Sequence, residues 1–215
     1  MTSDQSARRQ VVLASASPAR LKLLRNAGIE PRVVTSHVDE DEVTAASATS
    51  GVQDLVALLA EEKARDVARR IQIDMSAEDH APIVIGCDSL LEWQSVALGK
   101  PLNAQVAVER LRRMQGTAGV LHTGHHVIDM ASQLILTAVA STTVAFSEMS
   151  GAEIDAYVAT GEPINVAGSF TLDGLSSPFI DGIDGDPSNV IGLSLPLLRR
   201  MLAELDVSWL DVVRY

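Results

Sequence analysis

Only one cysteine, Cys87, occurs in the 215 residues, which excludes an internal disulfide and any multi-cysteine zinc site and fits a reducing compartment. Aromatic residues are equally scarce at 3%. A core must therefore be assembled from Val, Leu, Ile and Ala, the packing of an α/β domain with Val-rich strands. No stretch approaches the roughly 18 uncharged apolar residues of a membrane span, and MTSDQSARRQ at the start lacks the apolar core of a secretory signal. A cytoplasmic protein is expected. Basic charge is short as well. A formal net charge of -11 argues against general nucleic-acid binding, because affinity for a phosphate backbone rests on Lys and Arg. A small anionic substrate stays open if the few cations converge.

What is present, 47% apolar and 21% charged residues, suits one ordinary domain over residues 1–215, with two lobes as an option. There is no internal repeat, low-complexity tract or linker. QVVLAS (residues 10–15) reads as a short buried strand, and Pro18 to Ala27 as a helix stopped by Gly28. VVTSHVDEDEV predicts a strand running into an acidic loop. Ser50 and Gln53 have capping-box spacing ahead of the helical pattern Leu55, Leu58, Leu59, Val67, Ile71. APIVIGCDS is an apolar run ending in Asp88 and Ser89; LLEWQSVALGKP continues as strand and loop, and Val106 to Met114 is helical. HTGHHVIDM and LILTAVASTTVAF, separated by Ser132 and Gln133, predict an antiparallel hairpin and so a mixed sheet. Ser150 with Glu153 caps a helix through Tyr157 that Gly161 ends. A Gly, Asp and Pro rich region from Gly168 to Asn189 precedes a last helix near Leu195 to Leu205.

Two junctions carry chemistry. In SASPAR (residues 15–20), Ser17 is placed as N-cap and Pro18 as first helical residue, so free N–H groups point out of the strand end and form an anion site. Arg20 then falls in the first turn, where the helix dipole disfavours a cation unless an anion offsets it. An ordinary capped helix with a solvent-facing arginine has the same signature. Asp88 follows the apolar run Pro82 to Gly86, which delivers its carboxylate to the carboxyl edge of the sheet, where open α/β sheets bind ligands. Magnesium takes one or two protein carboxylates plus water and phosphate oxygens, and Glu40 in the acidic segment is a candidate second ligand. A turn-initiating aspartate and a solvated acidic loop are the plain alternatives. Lys63 and Lys100 each have a surface explanation. His122, His125 and His126 suggest zinc, but in a strand His122 and His126 share a face about 13 Å apart, at roughly 3.3 Å per residue, with His125 on the other side. Ordinary strand histidines are favoured.

Taken in order, LASASPARLKLL, IGCDS, LGKP, RLRRMQG, HTGHHVI, TGEPINVAGSFTLDG and SNVIGLSLPLL resemble the successive blocks of the Maf family of nucleoside triphosphate pyrophosphatases over nearly the whole chain. The resemblance implies an α/β fold, a mixed, twisted β-sheet flanked by helices, with two lobes and a central cleft. It also implies hydrolysis of the α–β phosphoanhydride of a nucleoside triphosphate to the monophosphate and pyrophosphate, with Mg²⁺ or Mn²⁺. By position, Asp88 would be the catalytic carboxylate and a metal ligand, and Glu40 would assist the metal. Ser15 and Arg20 would hold phosphate, Lys63 and Lys100 would neutralise the triphosphate, and Ser89 and Asp173 would contact substrate. A homodimer is compatible with the family; membrane and nucleic-acid partners are not expected.

The chain departs from the family pattern in three places. Ala19 replaces the first of two paired arginines, Ser89 stands for the usual Thr, and Asp173 stands in F-T-L-D-G where pyrimidine-selective members carry Gln. A carboxylate only accepts hydrogen bonds, so Asp173 points towards the N–H groups of a guanine-like edge, closer to the branch associated with 7-methyl-GTP. Two other readings are compatible with parts of the chain. Asp39, Glu40 and Asp41 after Val33 and Val34 suggest an aspartyl-phosphate enzyme, though Thr35, Ser36 and His37 interrupt that pattern. Ala19 motivates a catalytically weak nucleotide-binding protein acting in cell division arrest, against which Asp88, Arg20, Lys63 and Lys100 are all present.

Overall fold

The computed structural model describes residues 8–48, 51–74 and 81–214. In chain order the elements are β1 (Val11–Leu13), α1 (Pro18–Asn26), β2 (Arg32–Val33), α2 (Glu40–Ala46), α3 (Val52–Asp74), β3 (Ile83–Trp93), β4 (Val96–Leu98) and α4 (Ala104–Met114). Then follow β5 (Ala118–Asp129), β6 (Leu134–Phe146), α5 (Gly151–Ala159), β7 (Ile180–Asp184), α6 (Pro187–Ile191), α7 (Leu195–Glu204) and α8 (Trp209–Val212). The strands form a seven-stranded sheet in the order β2-β1-β3-β5-β6-β7, with β4 on β3. It is mixed, since β1 runs parallel to β2 and β3, whereas β4 pairs β3 and β7 pairs β6 antiparallel.

The chain divides into two compact units, the first comprising Met1–Asp88, Gly124–Val139 and Leu195–Tyr215 and the second Ser89–Thr123 and Ala140–Ser194. In the first, Val12 and Val84 of the sheet, with Ala14 just past β1, pack with Ala64, Val67 and Ile71 of α3. Burying each aliphatic side chain is worth about 1.5–3 kcal/mol. The approach of α3 to the sheet is set by two glycines. A Cβ on Gly86 would lie 2.3 Å from the Ala60 carbonyl oxygen, and one on Gly124 would lie 2.1 Å from that of Val56. Only a residue without a side chain lets the helix backbone come so near. In the second unit Leu91, Trp93, Leu121, Val144 and Phe146 form the core with Phe170, whose ring meets that of Phe146 edge to face at 5.0 Å.

Local signals predicted several helix starts. Ser17 accepts from Arg20 N–H with Pro18 in the first turn, and Ser150 and Glu153 form the expected capping box. Helix α3 begins at Val52; the expected cap Ser50 lies outside the described residues. The acidic segment is a correction: residues 40–46 are helix α2, not a loop. Asp39 accepts from the N–H groups of Asp41 and Glu42, and Glu40, Asp41 and Glu42 fill the first turn, where negative charge complements the helix dipole. Strand β3 runs on to Trp93 and turns into β4, as the strand-and-loop reading of LLEWQSVALGKP expects, so Asp88 and Ser89 stand in mid-strand and not at a strand end. Among the described residues no helix is long and apolar enough to cross a membrane.

Asp129, at the end of β5, accepts from Ala131 N–H at 2.9 Å, from the Ser132 hydroxyl at 2.8 Å and from Arg9. Burial alone raises its carboxyl, but these hydrogen bonds and the Arg9 charge hold it below the usual range. A carboxylate depressed in the folded state stabilises the fold above its unfolded pKa and loses that contribution as pH falls through the folded one. Asp129→Asn is therefore expected to cost about 1–2 kcal/mol at pH 7. In thermal melts the difference from the parent narrows as pH falls below about 4, the unfolded value. A penalty of equal size at both pH values rejects the assignment.

Candidate functional site

Strand β1 pairs with β3 as far as Leu13 opposite Ile85. Three residues further along β3, Asp88 therefore lies past the carboxyl end of the parallel part of the sheet, although in mid-strand. The turn-initiating reading of Asp88 fails on that ground. It is only 6% exposed, a position a carboxylate rarely occupies without a cation.

The cation is Lys63 of α3. Its Nζ lies 2.5 Å from Asp88 Oδ1 and 2.7 Å from Glu40 Oε1 of α2, so one ammonium bridges the two predicted metal ligands. At 7% exposure Lys63 does not have the surface explanation open to it in the sequence.

Arg20 is also buried, contrary to the solvent-facing alternative, with 8% of its surface exposed. Its Nη1 donates to Ser15 Oγ at 3.0 Å and to the Cys87 carbonyl at 2.8 Å. Ser15 Oγ in turn accepts from Ser17 N–H at 3.2 Å. The first strand-to-helix turn thus aims a guanidinium back at β3 next to Asp88. Burial pushes the Asp88 carboxyl above the usual carboxylate range; the charges of Lys63 and Arg20 and the Lys63 hydrogen bond pull it back, and Glu40 adds to the rise. A carboxyl held this way by burial and specific cations is the pattern expected of a functional group. The neighbouring Cys87 is inert, its thiol pushed up by burial to about 11.

Ser15, Arg20, Glu40, Lys63 and Asp88 all belong to the first unit, and the contacts above join them into one polar cluster. The remaining predicted residues belong to the second. Ser89 Oγ lies 2.9 Å from Thr123 Oγ1. Lys100 is exposed and follows Gly99, whose carbonyl accepts from Arg110 Nη1 at 2.6 Å. Asp173 is exposed on the loop before β7. Arg110 was not singled out by the sequence; helix periodicity gives no signal that one arginine on α4 holds the segment before Lys100.

His122 and His126 have strand partners: His122 Nδ1 lies 2.7 Å from Ser141 Oγ and its Nε2 3.1 Å from Glu92, and His126 Nδ1 lies 2.7 Å from Thr137 Oγ1. A pocket of about 160 Å³ on the second unit is lined by Trp93, Leu98, Val106, Arg110 and Arg113 among others, and none of the predicted site residues lines it.

Comparison with known proteins bears on the same segments. A family model described as Maf-like protein matches residues 10–205. A protein of Streptomyces coelicolor named nucleoside triphosphate pyrophosphatase is 56% identical over 198 residues, covering 92% of this chain and 91% of its own. Proteins of the same name from Streptomyces avermitilis (52%, covering 93% and 92%) and Salinispora tropica (51%, covering 92% and 84%) are similar. Among solved structures, that of the Staphylococcus aureus Ham1 protein aligns over 92% of this chain and 100% of its own, with a TM-score of 0.46 and 12% identity.

Proposed function

This chain belongs to the Maf-like protein family, and on that premise we propose that it is a nucleoside triphosphate pyrophosphatase, releasing a monophosphate and pyrophosphate from nucleoside triphosphates, modified and non-standard ones included. The observation that carries the proposal is the bridge from buried Asp88 through buried Lys63 to the exposed Glu40, beside Arg20. Attack on a phosphoanhydride needs a proton acceptor for water and cations for the charge that grows on the leaving group, and this cluster holds groups for both.

In the proposed mechanism the Asp88 carboxylate accepts the proton of the attacking water. Arg20, with Ser15 and the N–H groups at the start of α1, holds a phosphate; a helix N-terminus opening on a strand end favours anions. Lys63 turns from its two carboxylates towards the substrate oxygens as negative charge arrives. From the family resemblance, Lys100 also meets the phosphates, and Ser89 and Asp173 contact substrate, Asp173 at the base.

The donor set tests whether a divalent metal fits. Two carboxylates converging within 2.5 and 2.7 Å of a single ammonium mark a point where a cation is electrostatically required, and oxygen donors of this number suit Mg²⁺ or Mn²⁺ completed by water and phosphate. Asp88 and Glu40 would hold it, and when bound it would polarise the phosphoryl oxygen and acidify water.

The test is a panel of nucleoside triphosphates, 7-methyl-GTP included, with pyrophosphate and phosphate assayed separately. Pyrophosphate release that EDTA abolishes and Mg²⁺ or Mn²⁺ restores is expected. Phosphate in place of pyrophosphate overturns the reaction assignment, and undiminished turnover in EDTA overturns the metal.

A further inference from the structure

Glu162 plays no part in the chemistry above, yet within the second unit it is a hub. Its Oε1 accepts from the Thr171 hydroxyl at 2.6 Å, the Leu175 N–H at 3.0 Å and the Tyr157 hydroxyl at 3.1 Å, and its Oε2 takes the same Leu175 N–H at 3.2 Å. These partners bracket Asp173 from both sides. One carboxylate, in the short turn that follows α5, thus ties the two ends of a five-residue loop and leaves its middle residue exposed.

Two further contacts tighten the loop. The Ser176 hydroxyl accepts from Thr171 N–H at 2.7 Å and donates to the Thr171 carbonyl at 2.8 Å. At Gly174 an added Cβ would stand 2.4 Å from Thr171 Oγ1 and 2.7 and 2.8 Å from the two Glu162 oxygens. No side chain fits there while the carboxylate is in place; glycine at 174 and glutamate at 162 are one arrangement. Tyr157, 4% exposed, anchors it from α5, and burial pushes its phenol up to about 12, so it remains a donor across the physiological range.

A clamp of this kind does what base recognition requires. An exposed carboxylate on an open loop samples many directions and loses entropy on binding, whereas a tied loop has lost it already. Hydrogen-bond discrimination depends on donors and acceptors being fixed in advance, since the wrong base must then leave one unpaired. We propose that Glu162 is a positioning residue for nucleobase selection, fixing the 171–175 loop so that Asp173 presents its carboxylate to the N–H edge of a guanine-like base. The inference rests on the reading of Asp173 as the base contact.

The experiment compares kcat and KM for GTP, 7-methyl-GTP and UTP in the parent enzyme, Glu162→Gln, Thr171→Val, Asp173→Ala and Asp173→Ala with Glu162→Gln. Glutamine keeps the size of Glu162 but cannot accept from three donors with full charge; valine removes one donor and leaves the carboxylate. Each single variant is expected to lower the guanine-to-uracil ratio of kcat/KM at least fivefold, mostly through KM, and the double variant to match Asp173→Ala within twofold. A merely structural Glu162 would lower all three nucleotides alike and add to Asp173→Ala. If Asp173→Ala shifts the ratio but Glu162→Gln and Thr171→Val do not, the clamp is refuted while the base contact stands. If Asp173→Ala leaves the ratio unchanged, the base contact itself is wrong and the clamp falls with it. Should Glu162→Gln fail to fold, Thr171→Val decides.

Discussion

Asp88→Asn is expected to reduce kcat/KM for pyrophosphate release by at least about a thousandfold, about 4 kcal/mol of transition-state stabilisation. The variant keeps the shape of the side chain and an oxygen for Lys63, but an amide takes no proton from water and is a poor ligand for a hard cation. Loss of activity must be separated from loss of fold. Because burial already disfavours the ionised Asp88 carboxyl and Glu40 continues to pair Lys63, the melting temperature at pH 7 stays within a few degrees of the parent. Steady-state kinetics beside a thermal melt give both numbers, and retention of a tenth of the parent activity removes Asp88 from the mechanism.

A second large effect is expected at a residue with no side chain. Gly86→Ala places a methyl 2.3 Å from the Ala60 carbonyl oxygen, 2.8 Å from Ala64 Cβ and 2.9 Å from Ala64 N–H nitrogen. Two of the three are backbone atoms of α3, which no rotamer change relieves, so the helix must move off the sheet. Overpacking of this kind costs about 3 kcal/mol, roughly 6–12 °C in melting temperature for a chain of this size. Lys63 sits on the same turn as Ala60 and Ala64, so a lifted helix also draws its ammonium from Asp88, and kcat/KM falls even where the variant is fully folded. Gly51→Ala, with nothing within 4 Å of the added methyl, is the control and should melt with the parent. A Gly86→Ala protein within about 2 °C of the parent would show that the helix does not rest on that glycine.

The two departures from expectation have different causes. The composition of the segment around Glu40 suggests charge in a loop, yet Asp39 followed by acids through Glu42 is a helix-start signal of the same local kind as Ser17 or Ser150. That information lies within the sequence, masked by the charge run. The continuation of β3 through Asp88 is different, because whether a strand passes a polar residue depends on what lies across from it. Asp88 is tolerated there by Lys63, 25 positions away in the chain.

The sequence by itself determined the elements whose causes lie within a few residues: the caps at Ser17 and Ser150, the helix spacing of α3 and the order of motif blocks that identifies the family. Capping bonds and hydrophobic periodicity are short-range, so their residues are neighbours in the chain as well as in space. Only the tertiary structure decided that Lys63 is a buried bridge and Lys100 an exposed lysine, that Arg20 turns inward, and that Gly86, Gly124 and Glu162 matter at all. Each of those depends on which backbone or side chain approaches from a distant part of the chain, and a single sequence, read along its length, carries no term for that distance.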